Sequence, residues 1–170
     1  LYTLSYALKM YHKKHPAPEG WYEYAVYPLE AAWTTEPGAA AGDKNAYVYD
    51  VMIRQPEFLT PALEDSVREI AAKKKPALPW KKVELLEQEE GECLQMLHIG
   101  PYDDEPGTFA VMEAYCRENG LERRGISHQE IYLHAPNRPA PDKLKPVPRS
   151  WLKAAGSRGR ASPMVRVPHG

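Results

Sequence analysis

Residues 128–134 read "HQEIYLH", and their alternation restricts the possible folds more than any other feature of the chain. The β-branched, aromatic and apolar residues at 131–133 favour a strand. In a strand successive side chains point to opposite faces. Gln129, Ile131 and Leu133 then share a face that can pack on a core. His128, Glu130, Tyr132 and His134 share the other, which sets a carboxylate beside a phenol with an imidazole two residues away on either side. A strand with one packed and one polar face suits an antiparallel sheet. The ordinary reading of Glu130 is an exposed acid on a solvated face. The competing reading is a carboxylate turned into a cleft.

The rest of the chain supplies partners for such a strand. Leu1, Leu4, Leu8 and Tyr11 recur at helical spacing with no N-cap residue before them. "HKKHPAPEG" (12–20) closes that helix. Residues 21–33, "WYEYAVYPLEAAW", predict an aromatic strand disrupted at Pro28, since proline cannot donate to a ladder. Residues 34–45 predict a loop, and 46–54, "AYVYDVMIR", the returning strand. Thr60 then serves as N-cap, with Pro61 at the first helical position and Glu64 and Asp65 in the first turn. Leu63, Val67, Ile70 and Ala71 give this helix an apolar stripe. Lys73, Lys74 and Lys75 suit its negative end, and Pro76 stops it. A strand is clearest from Glu92 to Ile99. A helix striped by Phe109, Met112 and Cys116 follows and ends at Gly120. The order describes an α+β architecture of tandem strand–helix–strand–strand units on one antiparallel sheet, helices on one face, with the first strand of the pattern missing.

Composition narrows the function. Hydrophobic residues at 43% and charged residues at 26% are ordinary for a globular domain. No apolar run reaches the ~20 residues that span a bilayer, and Cys93 and Cys116 form no disulfide framework. A reduced cytoplasm is the expected compartment. Eleven Tyr and four Trp against two Phe mean that most aromatics carry a polar handle suited to a pocket wall. Residues 143–170 hold seven Lys/Arg and no acid, leaving 15 basic against 23 acidic residues elsewhere. An acidic body argues against nucleic acid as its partner. No zinc-like Cys/His spacing, phosphate loop or nucleophile elbow appears, so neither metal nor cofactor is expected. His12 and His15 read as a solvated helix end beside Lys13 and Lys14.

"EYAVYPLEAAW", "VMIRQPEFLTP", "QMLHIGPYDDEPGTFAVMEAYCRENGL" and "HQEIYL" resemble the GyrI-like small-molecule-binding family, and within it a stand-alone bacterial branch. The resemblance runs over residues 1–145. It implies a duplicated strand–helix–strand–strand fold whose ligands lie in a cleft on the sheet. It also implies that Glu130 points into that cleft. Some members of the branch hydrolyse cyclopropane-containing alkylating compounds, so hydrolase chemistry with a detoxifying outcome is implied here. The remaining stretch departs from the family. Pro146 and Pro148 stand where a strand is expected, so residues 146–170 are expected to be a disordered basic tail.

The resulting candidates are Glu130 and Glu30 as catalytic carboxylates. A carboxylate desolvated among aromatic rings acquires a raised pKa and can exchange protons near neutrality. Two in unlike surroundings can divide acid and base roles. Tyr27, Trp33, Met96, His98, Tyr102 and Tyr132 are the candidate ligand contacts. Several also have an ordinary explanation: Glu30 as a surface acid, Trp33 and Tyr27 as packing residues, His98 as a structural strand histidine; Tyr102 sits on a turn, where core packing explains a tyrosine less readily. The alternatives to hydrolysis are a non-catalytic sensor or sequestering domain for cationic drugs, or an interaction module that shields a toxin's target. An open sheet edge would favour a homodimer.

Overall fold

The computed structural model describes residues 1–36, 38, 46–133, 140–153 and 161–168. Helix α1 (Tyr2–Lys9) buries Leu4 and Leu8, and a short 3-10 turn at Tyr11–Lys13 follows it. Strands β1 (Leu29–Thr35) and β2 (Tyr47–Arg54) form an antiparallel pair. Helix α2 (Pro61–Lys74) starts where the Thr60 hydroxyl accepts the Leu63 amide at 3.3 Å. Strands β3 (Glu84–Glu89) and β4 (Cys93–Gln95) lead to helix α3 (Glu105–Glu118), then β5 (His128–Tyr132), β6 (Pro146–Trp151) and β7 (Ala161–Val167).

All pairings are antiparallel, and the seven strands lie in the order β3-β7-β2-β1-β5-β6-β4. Strands β3 and β4 occupy opposite edges yet are joined by Glu90, Gly91 and Glu92 alone. A flat sheet of this size would hold its edges roughly 29 Å apart, whereas four chain steps reach only about 14 Å. The sheet therefore curls until its edges nearly meet. Gly91 makes the tight link with φ at 64°, where a side chain would be strained. Gln88 on β3 donates across the hollow to Gln129 on β5 at 3.1 Å, two strands that are not neighbours in the sheet.

The outer face of the curl carries the helices. Ile53 and Val165 meet Leu4 and Leu8 of α1 and Val67 and Ala71 of α2, with Phe58, Leu59 and Val83 completing the core. Helix α3 covers the other half through Met112 and Cys116. This is the expected α+β arrangement.

Three expectations are corrected. The strand drawn over residues 21–33 begins only at Leu29. Residues before Pro28 instead build an aromatic layer in which Tyr24 contacts Tyr22, Tyr27 and Phe58. The strand drawn over 92–99 is the short edge strand β4, which ends at Gln95, and a separate edge strand, β3, precedes it at Glu84–Glu89. The stretch read as a disordered tail supplies β6 and β7, with Pro146 and Pro148 fully buried in β6. Spaced two apart, both prolines turn their missing N–H groups to the same side. On that side the partner segment only donates: Met96, His98 and Gly100 give their amides to the carbonyls of Pro148, Pro146 and Leu144 at 3.2, 3.0 and 3.1 Å. Pairing with β5 relies on the intervening residues and is unbroken.

Candidate functional site

The outer face of the sheet between β2 and α3 holds a cavity of about 680 Å³. Its floor follows from register. Trp33 on β1 stands opposite Tyr49 on β2 and His128 on β5, so all three side chains leave the sheet on one side. Two and four residues beyond His128, Glu130 and Tyr132 continue that row. Glu130 is flanked by Ala31 of β1 and Pro148 of β6, neither of which carries a competing polar group. His134, the last member of this face in the sequence, lies outside the described residues.

A chain of hydrogen bonds organises the floor. The Trp33 indole N–H donates to the Tyr132 hydroxyl at 3.1 Å, and that hydroxyl donates to the Glu130 carboxylate. His128 Nε2 donates to Glu130 Oε1 at 3.1 Å. Glu130 is only 5% exposed, so the two donors replace the water it has lost. Burial first, and then the charge of Glu130, push the Tyr132 phenol well above its usual range, which keeps it a proton donor. The walls are aromatic. Trp33 packs on Tyr49 and Tyr47 with centroids 4.7 and 6.2 Å apart, Tyr102 meets Tyr132 edge-on at 6.4 Å, and Phe109 meets His128 at 4.9 Å.

Helix α3 adds a second carboxyl group. Glu105 opens the helix, lines the cavity and is 9% exposed. Its Oε1 has no hydrogen-bond partner among the described residues. Burial, then the nearby charge of Glu130, push its pKa up to about 8. Glu105 is thus a neutral acid at neutral pH, beside a carboxylate held by two donors. Among the described residues that line the cavity there is no lysine or arginine.

Four of the sequence candidates come together here: Trp33, Tyr102, Glu130 and Tyr132. The other four are elsewhere. Glu30 stands opposite Ile131 on the inner face of the curl, where the Gln129 side-chain amide donates to it. Burial outweighs the pull of Arg149 and raises its pKa to about 7. Tyr27 belongs to the aromatic layer, with the Arg54 guanidinium 5.4 Å from its ring. Met96 lies on the segment following β4, outside the cavity. His98 is a clasp: its Nε2 lies 3.0 Å from the Pro101 carbonyl oxygen and its Nδ1 2.8 Å from the Thr108 hydroxyl. A carbonyl only accepts, so Nε2–H donates and leaves Nδ1 to accept from Thr108.

Glu105, His128, Phe109, Tyr47 and Ile126 also line the cavity, and none was a sequence candidate for the site. Glu105 had a readable signal. Residues 105, 109, 112 and 116 follow one helical stripe, so a carboxyl group stands where the pattern expects an apolar side chain. Among the described residues no cluster of three or more His, Cys, Asp or Glu could hold a metal ion, and no helix is long and apolar enough to cross a membrane.

The fold and cavity define a class: an antiparallel α+β domain with an aromatic, carboxylate-bearing cleft for a small organic molecule. The chain belongs to the GyrI-like small molecule binding domain family, whose model matches residues 7–146. Two crystal structures of hydrolases from Listeria innocua share its fold, with TM-scores of 0.80 and 0.81 and 32% and 33% identity. An uncharacterized conserved protein from the same organism has a TM-score of 0.81 and 34% identity. Each similarity covers 90% of this chain and 76% of the other. None of the curated proteins matches the chain.

Proposed function

We propose that the protein binds neutral or cationic aromatic molecules in this cleft and hydrolyses cyclopropane-bearing alkylating compounds as a detoxification reaction. The observation that carries the proposal is the Glu130 carboxylate, buried among aromatic rings and fixed by Tyr132 and His128. A planar dienone fused to a cyclopropane would lie between Trp33 and the Tyr102–Phe109 wall. Glu130 orients and deprotonates a water molecule with His128 as its neighbour. The water oxygen bonds to a ring carbon, and the strained carbon–carbon bond breaks. Its electron pair moves through the dienone to the carbonyl oxygen, which takes up a proton. The sum is addition of one water, with an unreactive alcohol as product. Glu30 has no part in this scheme, because it occupies the opposite face of the sheet. Similarity to hydrolases from Listeria innocua supports hydrolytic chemistry as a class.

A second reading, a non-catalytic receptor for cationic aromatics, is favoured by the acids and π-faces of the cleft. The deciding experiment is incubation with a cyclopropane-bearing alkylating dienone, followed by mass spectrometry for a gain of one water. Turnover that falls at least about a hundredfold in Glu130→Gln supports the hydrolase. Turnover at the parent rate in that variant removes Glu130 from the reaction. Tight binding without turnover leaves the receptor.

A further inference from the structure

The hydrogen-bond donors of the cleft floor are already engaged with one another: indole to phenol, phenol and imidazole to Glu130. Glu105 differs. Its carboxyl group is buried in the cavity wall, with one oxygen lacking any protein partner among the described residues. Leaving such a group unpaired costs roughly 1–3 kcal/mol, and an apolar residue at this position of the α3 stripe would avoid that cost. A first-turn acid favours a helix start through its negative charge, which Glu105 does not supply while burial keeps it protonated, and the Asp104 N-cap makes no side-chain cap bond.

We propose that Glu105 is the donor that recognises the ligand, presenting a carboxylic acid proton to an acceptor oxygen such as a ketone or dienone carbonyl. This deepens the functional reading above and rests on the cleft being the ligand site. Among the described residues, the titratable groups that share its cavity are Tyr102 and Asp103 on the turn before α3, Tyr47 on β2, and His128, Glu130 and Tyr132 on β5. None is a lysine or arginine that would draw the proton away. The negative charge of Glu130 instead helps Glu105 to keep it. The acid thus holds its proton at neutral pH and becomes a carboxylate, unable to donate, above about pH 8. In the ring-opening reaction, the carbonyl oxygen that gains the electron pair would be the atom facing this proton.

The test uses two probes of similar shape, acetylnaphthalene, which has an acceptor oxygen, and ethylnaphthalene, which has none. Their affinities are read from quenching of tryptophan emission. The unaltered protein should prefer the ketone by about fivefold to tenfold near pH 6.5, the worth of one hydrogen bond. That preference should vanish near pH 9.5, when the carboxylate can only accept. Glu105→Gln, whose amide donates at any pH, should keep the preference at both values. Glu105→Leu should lose it at both. Should Glu105→Leu be poorly folded by circular dichroism, the pH series on the unaltered protein and on Glu105→Gln carries the comparison. A ketone preference that is absent near pH 6.5, or that persists near pH 9.5 or in Glu105→Leu, overturns the assignment and leaves the cleft as a binding site. If neither probe binds, the assignment and the cleft reading fall together.

Discussion

At Tyr132 one hydroxyl does two things, accepting from Trp33 and donating to Glu130, so its orientation is fixed from both ends. Tyr132→Phe keeps the ring against Tyr102 but strips Glu130 of a donor. A hydrogen bond to a charged group is worth about 1.5–3 kcal/mol. Turnover in the proposed hydrolysis should therefore drop by roughly tenfold to a hundredfold, while affinity for an aromatic ligand changes little. An equal loss in both quantities would instead mean that the phenol grips the ligand. Trp33→Phe separates stacking from hydrogen bonding in the same way. It should weaken aromatic ligands by only a few-fold, because the π-face remains. At this scale the sequence was partly legible. Period-two alternation placed Glu130 and Tyr132 on one face, and register confirms it. It said nothing about Glu30, because Pro28 precedes that strand and which face it presents depends on where the strand begins.

Single elements hold the cleft together. The His98 clasp ties the segment after β4 to the first turns of α3, which carry Glu105 and Phe109. His98→Ala should destabilise the fold by about 1–3 kcal/mol, since it removes a buried side chain and leaves the half-buried Thr108 hydroxyl and Pro101 carbonyl with one partner fewer. Hydrogen exchange should quicken first around residues 96–108, and uniform quickening across the molecule would contradict a local clasp. Thr60→Ala at the start of α2 should cost about 0.5–2 kcal/mol, measurable by denaturant unfolding. Both helices were legible because their caps, stripes and prolines are local signals. Strand β6 was not. Pro146 and Pro148 argue against a strand paired on both sides, and only the fold reveals that the side they face needs their carbonyls alone.

Two buried carboxyl groups on opposite faces of the sheet set the pH response of the whole molecule. The pKa values of Glu30 and Glu105 are raised to about 7 and about 8, in both cases chiefly by burial. In the unfolded chain both release their protons in the ordinary carboxylate range. Between that range and pH 7 to 8 the folded state holds protons that the unfolded state has lost, so stability falls as pH rises. Each group contributes a slope of up to about 1.4 kcal/mol per pH unit. Denaturant titrations near pH 5.5 and pH 8 should show the decline, and the Glu30→Gln, Glu105→Gln double variant should flatten it. A slope as steep in the double variant would assign the effect to other groups. The closed curl behind this behaviour was beyond the sequence, because strand order depends on pairings between distant segments.

That strand order also governs how the molecule is made. Among the described strands β7 comes last along the chain, yet it sits between β2 and β3 and joins them. A nascent chain can assemble β1, β2, β5 and β6 as they emerge from the ribosome, but β3 has no neighbour to pair with until residues 161–167 appear. Closure of the sheet is therefore a late event in synthesis. Until then the hollow that holds the Glu30–Gln129 pair lacks the docked β3 from which Gln88 donates to Gln129.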